Sequence, residues 1–414
     1  MIAVSNVFPL FNPSLVNYPL PINYQFPSYD TPPGAKTSMI PQYPITSDQS
    51  INISENACDK PEEACGVFGI YAPEQDVAKM TYFGLYALQH RGQESAGIAV
   101  FEGTHVHQHK DMGLVSQVFN EAILEELPGN LAVGHTRYST TGSSRKVNAQ
   151  PAVVESRLGN LALAHNGNLV NTIQLGEQLV KSNFNLVTTT DSEMIAYAIA
   201  QEINSGADWL TGAMNAFKRC QGAFSLVIGT PDGIMGTRDP NGIRPLVIGT
   251  LDSNPMRYVL ASETCGLDII GAEYLRDVQP GELVWITETG LESFQWHEKS
   301  ERKLCIFEMI YFARPDSLMH NETLYSYRIR LGQRLAKESP IEADIVFGVP
   351  DSGIPAAIGF SQKSGIAYGE GLIKNRYVGR TFIQPTQSMR ETGIKMKLNP
   401  LKDVLFGKRV VIID

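Results

Sequence analysis

From residue 65 onward the chain switches between two hydrophobic periods. CGVFGIYA (65–72) alternates apolar and small residues and predicts a strand. DVAKMTYFGLYALQ (76–89) spaces its apolar residues as a helix does, and HRGQES breaks it. SAGIAVF returns to strand, and LVSQVFNEAILEEL predicts one amphipathic helix ended by Pro128 and Gly129. NLAVGHTRYSTTG and NLALAHNGNLV each predict a buried strand running into a polar loop. TTTDSEMIAYAIAQEI predicts a helix with Asp191 as N-cap and Glu193 in its first turn. GAFSLVIGT, RPLVIGT, RYVLASE and GELVWIT are further strands. Helices flanked on both sides by strand runs imply a layered α/β domain.

The pattern changes near residue 295. KLCIFEMIYFARPDS is strand-like until Pro315, and TLYSYRIRLGQRLAKES is an amphipathic helix. ADIVFGVPDSGIPAAIGFSQKSG predicts a buried strand, a small-residue loop and a helix, an order that can aim backbone N–H groups at an anion. GLIKNRYVGRTFIQPTQSMR carries Lys374, Arg376, Arg380 and Arg390 among aromatic residues, which suits a basic lid or an exposed loop. KRVVIID predicts a central parallel strand with Asp414 at its C-terminal edge, where open α/β sheets bind ligands.

Charge sharpens this division. Residues 301–414 carry 17 Lys plus Arg against 12 Asp plus Glu, inside a chain of net charge −9. A basic second half within an acidic chain suits a small polyanion and argues against a general nucleic-acid binder. No apolar run is long enough to cross a bilayer. Cys58, Cys65, Cys220, Cys265 and Cys305 are odd in number, widely spaced and free of CxxC pairs, so a reducing cytoplasm is the simplest setting. Residues 1–64 hold 10 of the 24 prolines and no charge before Asp30; they read as a disordered leader or propeptide. Met39 is an alternative translation start.

Cys65 is the residue that demands a chemical account. A thiol of pKa ~8.5 is mostly protonated at neutral pH and needs a base. No histidine lies within twenty positions of it in the sequence. A chain-terminal α-amine titrates near ~8 and can serve, provided that Cys65 is residue one of the mature protein. Around it, CGVFGIY, YALQHRGQESAGIA, GHTRYSTTG, ALAHNGNLVN and TTTDSEMIA follow in order over about 130 residues. Together they resemble the glutaminase domain of the class II, N-terminal-nucleophile amidotransferases. That resemblance implies an αββα sandwich over 65–294. It makes Cys65 the nucleophile that forms a glutamyl thioester, and Asn166 and Gly167 the oxyanion hole. It assigns Arg137 to the glutamine α-carboxylate, Asp191 to its α-amino group, and Arg91 and Gly92 to a loop closing over the thiol. His90, His135 and His165 adjoin these motifs and are read as structural hydrogen-bonding groups.

YFARPDS, VFGVPDSGIPAAIG and GLIKNRYVGRTFIQP resemble the type I phosphoribosyltransferase domain of the amidophosphoribosyltransferases. The resemblance spans 65–414, with 295–414 as an α/β domain read as incomplete, because the family's VVIID continues into a second aspartate and a 5-phosphate loop. It implies two steps: glutamine gives glutamate and ammonia, and ammonia displaces pyrophosphate from 5-phosphoribosyl 1-pyrophosphate. It further implies Mg²⁺ near Ser352 and Asp414, phosphate contacts from Lys374 and Arg376, purine nucleotides as feedback inhibitors, and a homo-oligomer. Cys305 aligns with the first of four ligands of a [4Fe–4S] cluster in one branch of the family. Two consequences of an end at Asp414 are expected: at most the glutaminase half-reaction, and an exposed VVIID edge. Two alternatives are a hexosamine-phosphate synthase, whose sugar-isomerase repeats are not found, and a non-catalytic ligand sensor, against which the intact glutaminase motifs argue.

Overall fold

The computed structural model describes residues 2–6, 65–138, 145–251, 257–298, 301–376 and 395–414. In chain order the strands are β1 Ile2–Asn6, β2 Gly66–Tyr71, β3 Ser95–Glu102, β4 His105–Met112, β5 Leu131–Arg137, β6 Ala152–Ser156, β7 Gly159–Leu169, β8 Gly222–Thr230, β9 Gly233–Arg238, β10 Val247–Leu251, β11 Tyr258–Ala261, β12 Ala272–Asp277, β13 Glu282–Thr287 and β14 Gly290–Gln295. Helices α1 Val77–Ala87, α2 Val115–Val118, α3 Glu121–Glu125, α4 Thr172–Lys181, α5 Asp191–Asn204, α6 Trp209–Phe217 and α7 Cys265–Asp268 lie between them.

Two antiparallel sheets carry this part of the molecule. One runs β12-β10-β11-β2-β5-β3-β4 and the other β14-β13-β9-β8-β7-β6. Strand alternation sorts the side chains. On β2, Val67 faces the second sheet, among Val133, Val227 and Ile234. Phe68 and Ile70 face the opposite way, against Val77, Ala78 and Leu85 of α1. The second sheet buries Leu161, Leu163 and Phe224 beneath Ile195, Ile199 and Phe217 of α5 and α6. Three apolar layers between four layers of structure make the αββα sandwich.

The second half is smaller. After a one-turn π-helix, Glu308–Phe312, come two short strands, β15 Leu318–Met319 and β16 Glu322–Thr323, and then α8 Leu324–Glu338. Thr323 caps α8, its hydroxyl accepting the Ser326 N–H. Strand β17 Ile345–Gly348, α9 Ile354–Ser364, β18 Leu372–Lys374, β19 Leu398–Pro400 and β20 Arg409–Ile413 follow. β20 pairs in parallel with β17, Gly348 opposite Ile413, and α8 and α9 pack on that sheet through Ala336, Ala357 and Phe360.

Several local expectations change. HNGN is not a loop: β7 runs through it, paired residue by residue with β8. Glu308–Phe312 form a π-helix rather than a strand, and Glu308 turns inward to buried arginine. LVSQVFNEAILEEL divides into α2 and α3, with the Asn120 side chain capping the second. Asp191 is the first residue of α5, and Thr190 is its N-cap. The VVIID edge is covered, since β1 pairs antiparallel with β20 along its length. Arg380, Arg390 and Cys58 lie outside the described residues.

Candidate functional site

Cys65 ends the segment entering β2 and is 7% exposed. Its thiol donates to the Tyr138 carbonyl at 3.6 Å. Burial pushes the thiol pKa up, partly opposed by the Tyr138 contact and the Arg137 charge. No histidine side chain hydrogen-bonds the thiol among the described residues. Val67, two residues on, lies opposite His135 of β5, and the His135 Nε2 bonds the His165 carbonyl at 3.0 Å. That bond joins the two sheets, β5 to β7.

Asn166 follows His165 directly. It is completely buried, and neither its amide nitrogen nor its amide oxygen has a protein partner. Buried amides are rarely left unpaired in folded proteins. Gly167 has φ +149°, and a Cβ there would overlap the Ala223 carbonyl oxygen, so only glycine fits. Asn166 thus presents an open amide next to a glycine whose backbone angle other residues rarely adopt.

Asp191 lies at the start of α5, 5% exposed. Its carboxylate accepts the Leu169 N–H at 3.0 Å and sits 3.3 Å from His165 Nδ1. Burial opposes its charge, yet His165 and these hydrogen bonds hold its pKa below the ordinary range. Arg137 is 2% exposed and pairs with Glu94 at 3.0 Å. Gly92 presses on the β5 backbone at Thr136 and Arg137, where a Cβ would collide. Arg91 is fully buried and aims away from solvent: its Nε donates to the Cys65 carbonyl at 3.0 Å. Two buried carboxylates, Glu263 and Glu308, hold the rest of its guanidinium. His90 bonds Glu263 at 2.8 Å, so each of the three histidines near the motifs makes a defined structural contact.

In the second half the loop after β17 lies against the end of β20, the Val349 N–H donating to the Ile413 carbonyl at 2.8 Å. Ser352 and Asp414 therefore flank one sheet edge, and Lys374 pairs there with Asp351. A hydroxyl and a carboxylate suit Mg²⁺, which takes few protein oxygens and fills its shell with water and phosphate. Arg376 is exposed beyond β18. Cys305 stands 3.9 Å from Arg244 and lines a cavity of about 30 Å³ with Arg238, His320 and Glu308. Among the described residues no three His, Cys, Asp or Glu groups are arranged to hold a metal ion. Cys305 is a single thiol where a [4Fe–4S] cluster takes four, and the described residues do not fit that cluster. No helix among them is long and apolar enough to cross a membrane.

Residues 135–268 match a family model described as a glutamine amidotransferase domain. An amidophosphoribosyltransferase of Synechococcus elongatus is 69% identical over 377 residues, covering 91% of this chain and 76% of the relative. That of Synechocystis is 71% identical over 363 residues, covering 87% and 73%. Among solved structures, the glutamine phosphoribosylpyrophosphate amidotransferase of B. subtilis, complexed with ADP and GMP, superposes with a TM-score of 0.77 at 46% identity. It covers 84% of this chain and 74% of that one. With identity of this level across both halves, and a fold shared with a solved member, this chain belongs to the amidophosphoribosyltransferase family.

Proposed function

We propose that Cys65 carries the glutamine half of the family reaction and that the β17–β20 edge carries the phosphoribosyl half. The family transfers the amide nitrogen of glutamine to 5-phosphoribosyl 1-pyrophosphate, yielding 5-phosphoribosylamine, glutamate and pyrophosphate, the entry to purine synthesis. In our reading the Cys65 sulfur attacks the glutamine side-chain carbonyl, and the Cys65 α-amine takes the thiol proton. The tetrahedral oxyanion is held by the Asn166 amide and the Gly167 N–H. Collapse expels ammonia, which leaves with the proton returned by the amine, and water then cleaves the thioester to glutamate. Arg137 binds the α-carboxylate with a planar fork and Asp191 binds the α-ammonium. The observation that carries this reading is the Asn166 amide, buried with both polar atoms open.

Use of that amine requires removal of residues 1–64, so we assign them as a propeptide ahead of domains 65–294 and 295–414; its removal takes β1 with it and uncovers the β20 edge. In the second domain Lys374 and Arg376 would engage the substrate's phosphates, while Ser352 and Asp414 would hold Mg²⁺. Bound Mg²⁺ offsets charge on the pyrophosphate leaving group. The ADP and GMP bound to the B. subtilis relative support purine nucleotides as regulators here. The described cysteines are all free thiols, in keeping with a reducing compartment. Glutamate release by protein beginning at Cys65, and its loss in Cys65→Ser, tests the first half. Retained release in Cys65→Ser would overturn it.

A further inference from the structure

Beneath the thiol lies a buried charge cluster that the reaction scheme leaves unused. Each of the three guanidinium nitrogens of Arg91 is engaged there. Nε holds the Cys65 carbonyl, Nη1 bonds Glu263 and Glu308 (2.9 Å to the latter), and Nη2 bonds Glu308 at 2.5 Å. Glu263 lies just after β11, in the glutaminase sandwich, and is 1% exposed. Glu308 opens the π-turn of the second half and is 2% exposed. Glu263 also accepts from the Arg314 N–H at 2.9 Å and the Ser317 hydroxyl at 2.7 Å, both in the second-half segment. Arg244 stands 3.5 Å from Glu308. A guanidinium out of water is costly unless it is paired and hydrogen-bonded on all sides. Its place is therefore set by the two carboxylates, and it in turn sets the backbone of the residue that bears both thiol and amine.

We propose that Glu308 is a positioning residue of the glutamine site: reaching back across the 294/295 boundary, it fixes Arg91, and Arg91 fixes Cys65. This rests on the reading of Cys65 as the nucleophile. Gln at 308 would fill the same space but present one acceptor and one NH₂ group to a fork that needs two acceptors. Arg91 would then lose its bidentate hold, with no change at the groups that bind the ends of glutamine.

The test is steady-state glutamine hydrolysis by Glu308→Gln, Arg91→Lys and the double variant, with thermal melts of each. Displacing a reacting group by about 1 Å can cost roughly a hundredfold. We expect Glu308→Gln to lower kcat by about 10- to 100-fold with KM within about threefold. Because Glu308 acts through Arg91, the double variant should be no slower than Arg91→Lys alone. A kcat near wild type, or losses that multiply in the double variant, would overturn the proposal; so would equal losses in kcat and glutamine affinity. If Glu308→Gln does not fold, Glu308→Asp keeps the charge and shortens the reach. It should show the same kcat loss, and full activity there would overturn the proposal. Cys65→Ala separates the two ideas: hydrolysis surviving in it sinks the nucleophile reading and the Glu308 proposal with it, whereas hydrolysis lost in Cys65→Ala but unchanged in Glu308→Gln sinks the Glu308 proposal alone.

Discussion

Replacing Asn166 by Ala should move stability and activity in opposite directions. The Asn166 side chain is fully buried, and both of its polar atoms lack protein partners. A buried donor or acceptor without a partner costs about 1–3 kcal/mol. Deleting the amide removes that cost twice and creates a small cavity, which opposes the gain. The net expectation is stability unchanged or raised by up to about 2 kcal/mol. In the proposed scheme the amide donates to the oxyanion, and losing one such donor costs about 2.7–4 kcal/mol of transition-state stabilisation, a hundred- to a thousandfold in kcat. Because the oxyanion exists only in the transition state and intermediate, KM should change little. The assay is glutamate release across a glutamine series, beside urea unfolding of the same preparations. A stable variant with kcat near wild type would refute the oxyanion assignment. A variant destabilised by several kcal/mol would show that the amide has a structural partner.

Intact mass and N-terminal sequencing of active protein should place its first residue at Cys65, and full glutaminase activity in protein still carrying residues 1–64 would contradict the propeptide. Arg137→Lys should raise the KM for glutamine roughly ten- to a hundredfold, the worth of a hydrogen bond to a charged group, with kcat less affected; an unchanged KM would reduce Arg137 to the partner of Glu94. Burial holds the His135 pKa at about 3. The unfolded chain takes up a proton near pH 6.5 that the folded protein refuses, so this contribution to stability is present above about pH 6.5 and is lost toward pH 3. His135→Gln should therefore flatten the fall in urea midpoint over that window, and an unchanged slope would contradict it.

How much of this was legible depended on what each residue type reveals alone. The helical spacing of DVAKMTYFGLYALQ names its element because its apolar face packs on one layer, and the alternation of CGVFGIYA sorts its side chains between two layers, Val67 into one and Phe68 and Ile70 into the other. HNGN misled because Asn and Gly favour turns. Here the strand carries them through the site, and Gly167 takes a backbone angle that the composition does not reveal. Strand β4, HVHQHKDM, escaped notice because it is a sheet edge with many polar positions. Asp191 and Thr190 are both good caps, and only the backbone decides between them.

The Glu263–Arg91–Glu308 cluster was the largest omission. Glu263 and Glu308 lie 172 and 217 residues from Arg91 along the chain, and no local period joins them. One signal was available: an acid inside the apolar run CIFEMIYF must find a buried cation if that run is packed. The π-turn turns Glu308 inward.

The most direct test of the account is a covalent one. Protein beginning at Cys65 should be treated with a glutamine analogue carrying an electrophile at the side-chain carbonyl position, then digested and mapped by mass spectrometry. The account predicts one adduct, on the peptide that begins with Cys65, with glutamine protecting against it and activity lost in step with labelling. Inactivation that leaves Cys65 unmodified, or labelling of Cys220, Cys265 or Cys305 in its place, would contradict it.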